Sequence, residues 1–219
     1  MASVFITGVN RGVGLALATV YANRGDRVIG AVRDRSFDGG DVCARVVSLD
    51  VTSDAELRTL PQTMSGESID VLIHNAGVLK RNALDDLDID SIRQQFEVNA
   101  LGPLRVTAAL RGCLSRGSKV GIVSSRMGSV ADNTSGSHYG YRMSKSAVNM
   151  VGKSLAADLR PDGIAVRILH PGYVKTGMTG FRGNWGPEDA APALVQRMDE
   201  LTLESTGEFW HAEGHPLPW

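Results

Sequence analysis

The chain predicts a doubly wound α/β fold: a parallel sheet of about seven strands with helices on both faces. Three observations carry that expectation. Short, almost uniformly apolar runs alternate with longer amphipathic stretches. Strands without polar alternation are covered on both faces, which is the habit of parallel sheets. A glycine-rich turn joins the first apolar run to the first amphipathic stretch, and every chemistry-bearing residue falls just after a strand. Open parallel sheets bind ligands at those ends.

The elements follow in order. Residues 4–7 read as a buried strand, and 12–23 as a helix after the glycine turn. Residues 27–32 and 45–49 are the second and third strands. Ser53 caps a helix that runs to about Leu60. Residues 70–74 form a fourth strand, ending in Asn75-Ala76-Gly77. A helix covers about 91–101, and Pro103, placed in a first turn, opens another. Residues 119–124 are a fifth strand. A long helix spans 140–159, closed by Pro161-Asp162-Gly163. Residues 164–169 form a sixth strand, a glycine-rich loop covers 177–186, Pro187 starts the last helix, and 207–210 form a short final strand.

The 219 residues, 42% hydrophobic and 21% charged, fit one α/β domain over residues 1–219. A net charge of -1 gives no pull toward nucleic acid or an anionic membrane. No apolar run approaches the roughly 20 residues of a membrane span, and the N-terminus lacks a secretory pattern. Cys43 and Cys113 are read as reduced, buried thiols of a cytoplasmic protein. The five histidines, His74, His138, His170, His211 and His215, lack ligand spacings, so no metal is expected.

In the turn Thr7-Gly8-Val9-Asn10-Arg11-Gly12-Val13-Gly14, glycines let backbone approach a pyrophosphate. The helix that follows points unpaired N–H groups and its positive end at the same place. The lysine of a mononucleotide loop is missing. Downstream, Tyr141 and Lys145 stand one helical turn apart on one face. An ammonium beside a phenol favours phenolate, so the tyrosine exchanges protons more readily.

These motifs, in this order, resemble the classical short-chain dehydrogenase/reductase family. Its T-G-x-x-x-G-x-G pattern matches at Thr7, Gly8, Gly12 and Gly14. N-A-G matches at Asn75, Ala76 and Gly77, the helix asparagine at Asn99, Y-x-x-x-K at Tyr141 and Lys145, and P-G at Pro171 and Gly172. Within the family, the stretch 124–136 and the tail ending Leu217-Pro218-Trp219 are similar to small carbonyl reductases and C-factor-like members. The resemblance implies a Rossmann fold and hydride exchange between a nicotinamide cofactor and a small-molecule carbonyl or alcohol. It also implies a homodimer or homotetramer. The alternative is a C-factor-type signalling protein in which catalysis is secondary.

By that resemblance, Tyr141 is the proton donor, Lys145 its tuner and ribose ligand, and Asn99 the holder of a relay water. Ser125 is the second donor, preferred over Ser124, although its 16-position gap to Tyr141 is about three longer than the family's habit. Implied cofactor contacts are Gly8, Asn10, Arg11, Gly12, Val13 and Gly14, then Asp50 and Val51, then Asn75, Ala76 and Gly77. Pro171, Gly172, Val174 and Thr176 complete them, with Asp50 on the adenine amino group. Arg33, first after the second strand, and Arg11 favour NADP(H), because guanidinium groups grip a 2′-phosphate. Asp34 leaves NAD(H) open. Met178, Phe181 and Trp185 on a short loop suggest an open, apolar substrate site, which Met143 either lines or leaves for the core.

Overall fold

The computed structural model describes residues 1–34 and 36–219. Its strands are β1 (Ser3–Thr7), β2 (Arg27–Val32), β3 (Arg45–Ser48), β4 (Val71–His74), β5 (Lys119–Val123), β6 (Ala165–His170) and β7 (Glu208–His211). They form one sheet in the order β3-β2-β1-β4-β5-β6-β7, every neighbouring pair parallel. The helices are α1 (Gly12–Asn23), α2 (Asp54–Thr63), α3 (Ile89–Phe96), α4 (Gly102–Ala109), α5 (Tyr139–Leu159) and α6 (Pro187–Asp199). The doubly wound Rossmann-type sheet expected from the sequence is therefore present.

Strand alternation sorts the core into two layers. Phe5, Leu72, Val120 and Val166 face one cluster with Leu57 and Leu60 of α2, Val106 of α4, and Val148 and Leu155 of α5. Val4, Ile6, Ile73 and Leu169 face the other, with Leu17 and Tyr21 of α1 and Leu194 and Met198 of α6. Burial on both sides removes most of these side chains from water, at about 25 cal/mol for each Å² of apolar surface. α5 comes close to β6 because position 152 is glycine: a Cβ there would lie 2.5 Å from Ile168 Cγ1.

One predicted helix is divided. Instead of a continuous helix over 91–101, α3 ends at Phe96, and Glu97–Leu101 form a π turn leading into α4. Such single-turn bulges let a side chain leave the regular face. Here that side chain is Asn99. The strand order reverses between β1 and β4, so the crevice lies at their carboxyl ends, beside the end of β5.

Candidate active site

The glycine turn leaves β1 through Gly8, whose φ of +74° suits glycine. Gly14 decides how closely α1 seats. A Cβ there would lie 2.1 Å from Gly8 O and 2.4 Å from Asn75 Nδ2. Asn75 fastens β4 to this turn, donating from Nδ2 to Thr7 O at 3.1 Å and Gly8 O at 3.0 Å. The Thr7 hydroxyl accepts the Asn75 and Ala76 N–H groups. Asn75 thus braces the turn, and Thr7, unassigned from the sequence, braces it too. α1 begins with neither a side-chain cap nor an acidic residue in its first turn. Its first N–H groups are left for an anion.

Arg11 and Arg33 are exposed and unpaired among the described residues. Asp34 Oδ1 accepts the N–H and hydroxyl of Ser36 at 3.0 and 2.7 Å, which lowers its pKa. Asp50 Oδ1 is likewise used within its own turn, accepting from Thr52 N and Oγ1. Val51 is buried against Gly102 of α4, so its side chain serves the core. Asn10 and Val13 are half-buried in the turn. Thr176 faces the turn from the other side, its Cγ2 3.4 Å from where a Cβ on Gly12 would sit.

At the end of β5, adjacent serines diverge. Ser124 is buried and donates to Asn149 Oδ1 of α5 at 2.6 Å. Ser125 lies toward Tyr141, and its hydroxyl favours the charged form of that phenol. It also accepts Met127 N at 3.1 Å. The pleat that separates neighbouring side chains sends Ser125, not Ser124, to the tyrosine.

Tyr141 and Lys145 occupy one face of α5, both buried. Lys145 Nζ donates to Val123 O at 2.9 Å and lies 5.7 Å from the centre of the Tyr141 ring. The expected depression of the tyrosine pKa by this ammonium is not found. Burial drives Tyr141 up to about 12, with the Ser125 hydroxyl as the opposing influence. Burial also lowers Lys145 to about 8. The reason is desolvation, which penalises both charged forms when neither has a counter-charge.

Asn99 is fully buried. Its Oδ1 accepts Val78 N at 2.8 Å, while Nδ2 donates to Val78 O at 2.8 Å and Ser144 Oγ at 3.0 Å. Ser144 in turn donates to Tyr141 O at 2.9 Å. The side chain expected to hold a relay water therefore clamps the 78 backbone to α5. Gly77 lets Asn99 pack closely against this segment, since a Cβ there would sit 3.3 Å from Asn99 Oδ1. Ser144 went unnoticed in the sequence; its place between Tyr141 and Lys145 was the available signal.

In the segment after β6, Gly172 has φ +85°, and a Cβ on it would lie 2.5 Å from Trp185 Nε1. Trp185 pairs by backbone with Val174, and its carbonyl accepts Lys175 N. It anchors the 177–186 loop, and Met178 and Phe181 remain exposed. Pro171 is half-buried and Val174 buried. Met143 lies across α5 from Tyr141 and lines a separate groove with Phe96, Met127, Val130 and Tyr139. The 126–138 loop is tied down at Ser129, which donates to Trp219 O at 3.1 Å. Cys43 and Cys113 are unpaired and half-buried, not fully buried.

His170 stays neutral, its pKa pushed to about 3 by burial and then by nearby cations. His74 is buried against Thr107. Although the histidine spacings predict no metal, among the described residues the ligand atoms of His211, Glu213 and His215 lie within 4.8 Å of one another.

The cradle fits a dinucleotide: a glycine turn shaped by close backbone contact, an uncapped helix start, and a buried ammonium beside it. A family model described as short chain dehydrogenase matches residues 2–186. The chain belongs to the short-chain dehydrogenase family. It is 42% identical over 229 residues, covering all of both chains, to the 1-hydroxy-2-glutathionyl-2-methyl-3-butene dehydrogenase of Rhodococcus sp. (strain AD45). It is 44% identical over 154 residues to the C-signal of Myxococcus xanthus, covering 69% of this chain and 93% of the relative. Among solved structures, a carbonyl reductase from Pseudomonas aeruginosa PAO1 in complex with NADP superposes with a TM-score of 0.87, at 30% identity and complete coverage of both chains. This family membership makes the chain an oxidoreductase. Among the described residues no helix is long and apolar enough to cross a membrane.

Proposed function

We propose that this chain is an NADP(H)-dependent oxidoreductase that moves hydride between nicotinamide and a carbonyl or alcohol. Reduction of small or hydrophobic aldehydes and ketones is its favoured direction. The observation that carries this reading is the Ser125 hydroxyl acting on Tyr141 beside the Lys145 ammonium, at the strand ends next to the glycine cradle.

The bound nicotinamide supplies or accepts the hydride; the chain does the rest. Tyr141, protonated at neutral pH because its pKa is about 12, holds the proton that a nascent alkoxide requires. A group that keeps its proton in the resting protein suits reduction. Ser125 Oγ offers the second hydrogen bond to the same oxygen. Lys145, with only Val123 O as partner, has N–H donors left for a ribose. Asn99 and Ser144 position α5 against the 78 backbone. Unpaired Arg33 and Arg11 would hold a 2′-phosphate, while Asp34 turns to Ser36; the NADP-bound Pseudomonas relative supports the same choice.

The Rhodococcus relative adds a glutathionyl alcohol to the compounds worth testing. Cytoplasmic residence is supported by the two unpaired thiols. A homodimer or homotetramer is supported by exposed Leu104 of α4 and Met143 and Met150 of α5. Val106, Val148 and Leu155 on the same helices are buried in the core.

The C-signal likeness favours a second reading, in which dinucleotide binding serves signalling. One assay separates the two: NADPH and NADH oxidation against aldehydes, ketones, quinones and a glutathionyl carbonyl. Turnover with NADPH on some of these is expected. Tight NADPH binding with no turnover on any of them would favour signalling.

A further inference from the structure

β7 is the last strand of the sheet, and it ends in a tight reversal, His211-Ala212-Glu213-Gly214-His215. His211 N donates to His215 O at 2.8 Å, and Gly214 N to His211 O at 3.0 Å. Gly214 turns the chain with φ +92°, and Trp210 then bridges Pro216 antiparallel. The reversal gathers the three donors of this stretch, His211, Glu213 and His215, at one place. His211 Nδ1 lies 3.6 Å from Glu213 Oε2, and the His211 and His215 rings are 4.7 Å apart.

We propose that this turn is a binding site for a divalent transition cation of the Zn²⁺ class. Two imidazoles and one carboxylate supply three ligands, and water takes the fourth position. Tetrahedral bonds of about 2.0–2.1 Å set neighbouring donors about 3.3 Å apart. The His211–Glu213 pair is already near that separation. The three ligand atoms already lie within 4.8 Å of one another, and His215, exposed at the tip, has to swing in to match that separation. The His211 Nδ1 lone pair points into the turn, where it now accepts Glu213 N at 3.0 Å; on binding, the cation takes that lone pair and the exposed Glu213 N–H turns to water. Imidazole-rich donors select zinc, nickel or copper over magnesium or calcium.

His211 is also pre-oriented, as a good ligand must be. The His170 ring meets it in a T-shaped contact at 4.9 Å, and Trp185 stacks on it at 6.5 Å with planes 12° apart. Trp185 is the anchor of the 177–186 loop. A cation held at His211 therefore ties the tail and β7 to that loop, which makes its role structural and outside the hydride chemistry.

The test uses the full-length protein, stripped with a chelator and titrated with zinc chloride by calorimetry. Cobalt(II) absorption reports the coordination geometry. One equivalent should bind, Co²⁺ should show a tetrahedral spectrum, and Zn²⁺ should raise the melting temperature. His215→Ala and Glu213→Gln, both at exposed positions, should each weaken binding by about tenfold or more and abolish the thermal shift. The proposal is overturned by an absence of saturable binding, or by binding that both variants leave unchanged.

Discussion

The cofactor half of the site, at the ends of β1 and β4, is made of backbone and empty space. The catalytic half, at the end of β5 and along α5, is made of buried side chains. In the first, Gly8, Gly14 and Gly77 matter for what they lack, and Asn75 and Thr7 only brace the main chain. In the second, Tyr141 and Lys145 hold ionisable groups in a dry place, and both pKa values move toward the neutral form. The first half is damaged by adding atoms. The second is damaged by removing them, although removal there relieves the fold.

Lys145→Met gives the largest separation of these effects. Turnover should fall by about 10³. The ligand-free protein should gain up to about 3 kcal/mol at neutral pH, because a lysine shifted from 10.5 to about 8 penalises folding while charged. The sign is specific. Between pH 8 and 10.5 the native state sheds this proton before the unfolded chain does, so stability rises with pH across that window. Denaturant titrations across that range should show the rise in the wild type and lose it in the variant.

The serine pair comes next. Ser125→Ala should lower kcat by about 10² with little change in melting temperature. Ser124→Ala should leave kcat alone and cost about 1 kcal/mol, because Asn149 loses its buried partner. Steady-state kinetics and thermal melts on both variants would expose any exchange of roles.

On the cofactor side, Gly14→Ala should cost about 2 kcal/mol and weaken NADPH binding, since its methyl meets backbone that cannot give. Fluorescence titration and a denaturant midpoint measure both effects. The smallest effect is expected from Arg33→Ala. Its KM for NADPH should rise about tenfold, near 1.4 kcal/mol, with that for NADH unchanged. Equal use of both cofactors by wild type and variant would remove the NADP assignment.

The same contrast explains what the sequence could reveal. Runs such as Val4-Phe5-Ile6 announce strands covered on both faces, and the glycine spacing announces a turn that approaches phosphate. Both are local properties. The π turn at Asn99 is not, because it exists to bring that side chain to Val78 and Ser144, which are distant in sequence. Nor is the seat of Trp185 local, because its indole packs on Gly172, 13 positions earlier. Likewise, the Tyr141–Lys145 spacing suggested a lowered tyrosine pKa, whereas burial, a tertiary property, raised it. The histidines of the tail seemed unrelated because only the reversal at Gly214 brings His211 and His215 together.

The central claim is that Tyr141 gives the proton. Tyr141→Phe, assayed by NADPH oxidation on the best carbonyl found for the wild type, tests it most directly. The predicted result is a fall in kcat of about 10²–10⁴ with NADPH affinity retained. An unchanged kcat would contradict the account.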